Sequence, residues 1–131
     1  AHLIGGASDL PQAFASIEKA RSQALIVKNN SLTYEIRAAI IEASRRLRIP
    51  DMYEARELVA AGGLVSYGPD LTDLYRQAAG YVDKVFKGAK PADLPVQQPT
   101  KFDLVLNLKT AKAIGLAIPQ SLLLQADEVV Q

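Results

Sequence analysis

The chain contains no cysteine, which removes disulfides, thiolate metal sites and cysteine nucleophiles together. A cysteine-free chain is at home in any redox compartment, so this absence excludes chemistry without fixing location. Histidine occurs once, at His2 beside the terminus. A zinc site would need one imidazole plus carboxylates, an uncommon set, so neither metal nor any other cofactor is expected. No run approaches the roughly 20 apolar residues of a membrane span. Charge of one sign is missing too: 15 Lys and Arg against 14 Asp and Glu leave +1. A phosphate-backbone binder needs a basic excess on one face, so nucleic acid is not an expected partner. No leader is visible, and Ala1 reads as the edge of an excised or processed piece. What remains is 131 residues that are 49% hydrophobic and 22% charged, the balance of one folded domain that can bury a core without staples.

Hydrophobic spacing predicts an alternation of strands and helices. An apolar element at His2–Ile4 leads to Gly5-Gly6, and Asp9 with Gln12 forms a capping box for a helix whose stripe is Leu10, Ala13, Phe14, Ile17 and Ala20. Ala24–Val27 reads as a buried strand, and Ser31 as the cap of a helix with Ile36, Ala39, Ile40, Ala43 and Leu47 on its apolar face. Met52-Tyr53 is the core of a short strand, Glu54–Ala61 a brief helix closed by Gly62-Gly63, and Leu64–Tyr67 a further strand. Gly68-Pro69-Asp70 turns into the longest helix, with Leu71, Leu74, Tyr75, Ala78, Val82, Val85 and Phe86 as a core stripe. Pro91, Pro95 and Pro99 punctuate an extended stretch before a strand at Phe102–Asn107, a helix capped by Asn107 and ending at Gly115, and a last helical turn or two from Pro119 through Leu124.

Such an alternation over residues 1–90 implies βαβ units, an α/β class and a parallel sheet flanked by helices. Ligands of these sheets sit outside the carboxyl ends of the strands, which nominates the loops at Lys28–Ser31, Tyr53–Arg56 and Ser66–Asp70. Tyr53 and Tyr67 fall at strand ends, where a tyrosine can stack on a ligand and hydrogen-bond it or simply fill space. Asp70 and Asp73 stand one turn apart at a helix start; their bland reading is a cap and a dipole partner, with no nucleophile beside either. Arg45, Arg46 and Arg48 suit the negative end of a helix dipole on a solvated face.

Two stretches resemble a known family. Ala61-Gly62-Gly63-Leu64-Val65-Ser66-Tyr67-Gly68-Pro69-Asp70 is similar to the loop–strand–loop of ABC-transporter solute-binding proteins of the tryptophan/phenylalanine-binding type. Lys87-Gly88-Ala89-Lys90-Pro91-Ala92-Asp93-Leu94-Pro95-Val96 looks like the same family's tail signature, and the resemblance continues through Phe102–Leu116 to Ile118-Pro119. Order and spacing match over about residues 20–131.

The resemblance implies a Rossmann-like lobe of the type I periplasmic-binding-protein-like fold. It divides the chain into a ligand-binding lobe at 1–90 and a hinge-crossing segment with tail at 91–131. It also implies that an amino-terminal lobe is missing, leaving the tail to pack on this lobe or to exchange between copies as a homodimer. The activity implied is non-enzymatic: an extracytoplasmic, periplasmic component closing on a small solute and delivering it to an ABC permease. Carried over by position, the family's Asp-Asn loop falls on Asn29-Asn30, with Asn29 in place of the acid, and its late aspartate falls on Asp70, which would meet a donor group of the solute. Asn30 and Ser66 would hydrogen-bond, Tyr53 and Tyr67 would form an apolar wall, and Arg56 lies on the intervening loop. With Asn29 and Tyr67 departing from the amino-acid-binding pattern, the solute expected is polar or aromatic, amino-acid-like or a carboxylate. The same lobe serving as the ligand-sensing domain of a signalling receptor is the alternative.

Overall fold

The computed structural model describes residues 4–131. His2 and Leu3 of the expected first apolar element lie outside the described residues, and Ile4 belongs to no strand. By its internal contacts the chain divides into two compact units, Ala1–Gly68 with Asp103–Gln131 and Pro69–Phe102.

The larger unit carries helices α1 (Leu10–Lys19), α2 (Ser31–Glu35), α3 (Arg37–Leu47) and α4 (Arg56–Ala60) between short strands β1 (Leu25–Val27), β2 (Asp51–Tyr53) and β3 (Val65–Pro69). Strand β4 (Phe102–Asn107), helices α6 (Leu108–Ile114) and α7 (Gln120–Leu123) and strand β5 (Glu128–Val130) follow the smaller unit and its helix α5 (Leu71–Phe86). The strands form one sheet in the order β1-β2-β3-β4-β5. The α/β class holds, and β1, β2 and β3 are parallel, with Val27 beside Tyr53 and Tyr53 beside Ser66. The all-parallel expectation does not extend to β4. Asn107 N–H donates to Leu64 C=O at 2.9 Å and Asp70 N–H donates to Lys101 C=O at 3.1 Å. Numbers rise along one strand as they fall along the other, so β4 runs against β3, and β5 then runs parallel to β4. The returning chain re-enters where β3 left, which needs no crossover back to the start of the strand.

The apolar stripes of the first helices pack as their spacing predicts. Leu10, Phe14 and Ile17 of α1 meet Ile40 and Ile41 of α3, Val27, Ile49, Tyr53 and Leu58 in one cluster, each large side chain contributing about 1.5–3 kcal/mol of burial. A second cluster joins Leu64 to Ala111 and Ile114 of α6. Local signals are met with adjustments. Asp9 stands at the start of α1, but its carboxylate accepts from Gly5 N–H at 2.8 Å instead of capping the helix. The cap of α2 is Asn30 rather than Ser31, because Asn30 Oδ1 accepts from Thr33 N–H while Thr33 Oγ1 accepts from Asn30 N–H. Asn107 caps α6 and Gly115 closes it with φ of 77°. Strand β5, unannounced by its short Glu128-Val129-Val130 run, exists because it pairs in register with Val105–Asn107. Both sheet margins, β1 and β5, are three residues long.

In the smaller unit Asp70 caps α5, accepting from Thr72 and Asp73 N–H. Asp83 pairs with Lys87 and Asp73 with Arg76 along its polar side. Tyr81 O–H donates to the Pro95 carbonyl, holding the segment after the turn at Pro91–Asp93. The stripe expected to be core is not: no residue of α5 is buried, and Tyr75 and Phe86 are 74% and 86% exposed. Amphipathic spacing identifies a face that can be buried; it does not supply what buries it.

Backbone closeness fixes the exit of β3. A Cβ on Gly68 would lie 1.8 Å from the Glu54 carbonyl oxygen, so only glycine lets the exits of β2 and β3 approach this far. Gly68→Ala is expected to destabilise the fold by at least about 1–3 kcal/mol, the usual cost of overpacking. Urea unfolding followed by circular dichroism checks it; an unchanged midpoint would show that the two exits can separate freely.

Candidate functional site

The carboxyl ends of β1, β2 and β3 share one edge of the sheet with the amino ends of β4 and β5, given the strand directions above. That edge gathers Asn29 and Asn30 after β1, Arg56 at the start of α4, and Tyr67 near the end of β3. Asn29, Asn30 and Arg56 are exposed, and Tyr67 is 51% exposed. Asn30 commits Oδ1 to capping α2, leaving its amide nitrogen as the group suited to a ligand. Arg56 donates to Glu128 Oε2 and stands 4.0 Å from Asp103 Oδ2. Its guanidinium therefore ties the α4 start to the entries of β4 and β5 while the side chain stays 54% exposed.

Two expected contacts are corrected. Tyr53 is 1% exposed and Ser66 likewise, both fully inside, so neither presents a surface to solute here. Tyr53 alternates inward with Asp51, and its O–H donates to Asp51 Oδ2 at 2.7 Å. Leu64 N–H donates to Asp51 Oδ1 at 2.8 Å, so one buried carboxylate joins the beginning of β2 to the approach to β3. Burial raises the Asp51 carboxyl above its ordinary range despite these hydrogen bonds, and burial beside that carboxyl pushes the Tyr53 phenol far above its own. The Ser44 hydroxyl, near enough to influence both, meets neither with hydrogen-bond geometry, and Ser66 Oγ has no partner among the described residues.

Asp70 belongs to the smaller unit, and its bland reading as a helix cap is correct. Besides the two N–H groups it accepts from Lys101 Nζ at 2.6 Å. This ion pair, first, and the capping N–H groups hold its carboxyl below the ordinary range. Sequence reasoning missed Lys101, and also Asp103 and Glu128 opposite Arg56. Each pair is far apart in the chain, and only the strand directions bring its members together. Among the described residues no three His, Cys, Asp or Glu side chains gather as a metal site, and no helix is long and apolar enough to cross a membrane.

Residues 2–130 match the family described as ABC transporter substrate binding protein. The chain belongs to that family. Its members bind and deliver solutes rather than convert them, and are normally extracytoplasmic. Among solved structures, the chain is similar to a conserved domain protein from Vibrio cholerae, with 26% identity and a TM-score of 0.85 over 95% of this chain and 42% of that one. It is also similar to an ABC domain from Streptococcus pneumonia solved in complex with L-Trp, with 26% identity and a TM-score of 0.84 over 97% of this chain and 43% of that one. The ligand-free, open structure of a substrate-binding protein with adhesive properties from Clostridium difficile shares the fold at 20% identity, with a TM-score of 0.70 over 98% of this chain and 42% of that one. No curated protein matches. The chain spans about two-fifths of the length of these structures.

The buried pair gives a pH test with a definite sign. Above pH 10 the unfolded chain loses the Tyr53 proton while the folded chain keeps it, so stability falls as pH rises. Tyr53→Phe should remove that share of the alkaline loss, and at neutral pH should lower stability by about 1–3 kcal/mol because Asp51 loses a buried donor. Asp70 runs the opposite way: its stabilisation is present above 3.8, the ordinary value, and fades as pH falls through its lower folded value. In Lys101→Met the Asp70 carboxyl, followed by NMR titration, should rise toward 3.8; an unmoved titration would remove Lys101 as the cause.

Proposed function

We propose that the chain is one lobe of a two-lobed solute-binding protein that delivers a small polar or aromatic solute, amino-acid-like or a carboxylate, to an ABC permease outside the cytoplasm. The observation that carries the reading is the meeting of Asn29, Asn30, Arg56 and Tyr67 on one sheet edge in a chain of this family. Arg56 suits a carboxylate: its guanidinium is anchored by Glu128 yet open to solvent. Tyr67 offers a ring face, Asn29 an amide donor and acceptor, and Asn30 its amide nitrogen as a donor. Asp70, which pairs with Lys101 within the smaller unit, is the carboxylate proposed to receive a solute ammonium by exchanging that cation. The L-Trp held by the Streptococcus relative combines these groups in one molecule, an ammonium, a carboxylate and an aromatic ring. Tyr53 and Ser66 act behind this surface by fixing the strands and do not touch solute.

The amino-terminal lobe is the second half of the site. Solute contacts complete only on closure stabilise the closed state by their differential energy. A thermal-shift screen of the two-lobed protein against amino acids, aromatic acids and small carboxylates tests this. A true solute at about 100-fold its Kd adds about 2.7 kcal/mol, whereas the 131-residue chain alone shows weak or undetectable binding by calorimetry. Arg56→Ala and Asp70→Ala should each abolish most of the shift. Nanomolar binding to the isolated chain, or stabilisation indifferent to both substitutions, would overturn the assignment.

A further inference from the structure

We propose that Thr33 is a positioning residue of the solute edge, one that pins the Lys28–Asn30 loop and orients the Asn30 amide so that Asn30 meets solute only as a hydrogen-bond donor. This rests on the reading above that Asn30 touches solute, and adds which solute atom it takes: an acceptor oxygen.

Thr33 is buried, at 7% exposure, whereas Lys28, Asn29 and Asn30 are exposed. Its Oγ1 donates to the Lys28 carbonyl at 2.8 Å and accepts from Asn30 N–H at 3.0 Å. Lys28 is the nearest of three acceptors around that hydroxyl, ahead of the Asn30 carbonyl at 3.1 Å and Asn30 Oδ1 at 3.2 Å. A hydroxyl carries one proton and can also accept, so one oxygen holds the peptide groups on both sides of Asn29. A glutamate, the commoner residue at this place in a capping box, could accept from Asn30 N–H but has no proton for Lys28. Valine, with the same shape, could do neither.

The Asn30 amide is held from its other end. Thr33 N–H donates to Asn30 Oδ1 at 2.9 Å. Turned over, the amide would set Nδ2–H against that N–H, donor on donor, so a single orientation survives. Oδ1 is committed to the cap, and Nδ2 keeps its protons for another partner. Aspartate caps a helix as well as asparagine does, yet it would present a second acceptor where asparagine presents N–H donors. Capping does not choose between the two residues; the outward atom does.

Relaxation NMR on the 131-residue chain reads the loop. Calorimetry on the two-lobed protein reads the contact, using whichever amino acid, aromatic acid or small carboxylate stabilises it most in the screen above. In Thr33→Val the backbone order parameters of Asn29 and Asn30 should fall from about 0.85 to below about 0.6, while those of β1–β3 hold. Thr33→Ser should restore them. Binding of that compound should weaken about tenfold in Thr33→Val, the scale of one well-placed hydrogen bond, and recover in Thr33→Ser. Asn30→Asp keeps the cap and reverses the outward group, so it should leave the loop ordered yet weaken binding by at least about tenfold. A loop equally ordered in Thr33→Val overturns the proposal. So does binding indifferent to Asn30→Asp, or a loosened loop that binds as tightly as before. Failure of the functional reading looks different: the loop would loosen and recover as stated while no compound stabilised the two-lobed protein.

Discussion

One buried carboxylate fixes how β2 and β3 lie side by side. Asp51 accepts from Tyr53 O–H and from Leu64 N–H, and so binds three points of the chain that must agree before β2 and β3 can lie side by side. Burying an acid is costly unless its lone pairs are met, and here the donors come from the strand itself and from the approach to its neighbour. The register that follows places Tyr53 beside Ser66. From there the start of α4 with Arg56 and the end of β3 with Tyr67 come to the same edge of the sheet. Gly68 completes the constraint by admitting the Glu54 carbonyl where any side chain would exclude it.

The fold was legible wherever burial and periodicity coincide within a short stretch. The stripes of α1 and α3, the strands around Val27 and Tyr53, and the α6 cap at Asn107 all follow from local chemistry. What escaped depended on partners distant in sequence. The reversed direction of β4 is set by where the returning chain meets β3, and β5 is a strand only because β4 offers it an edge. The stripe on α5 was correctly seen as apolar, yet nothing in Leu71–Phe86 tells whether its cover lies within these residues.

The site divides the same way. Position after a parallel strand identified Asn29, Asn30, Arg56 and Tyr67 as surface groups. Tyr53 looked equivalent to Tyr67 in sequence, since both fall at the ends of expected strands. They differ in facing: Tyr53 shares the inward side with Asp51, while Tyr67 alternates outward from Ser66. A single register step decides whether a tyrosine faces solvent or anchors a core. The Asp70–Lys101 and Arg56–Glu128 pairs were invisible because each spans strands whose directions had to be known first.

The brevity of the two outermost strands bears on whether copies of the chain can pair edge to edge. With only Leu25–Val27 on one flank and Glu128–Val130 on the other, a docking strand finds too few free amides and carbonyls to grow a ladder, and Lys28 and Glu128 set charge against it. Edge-to-edge growth into fibrils is thereby disfavoured.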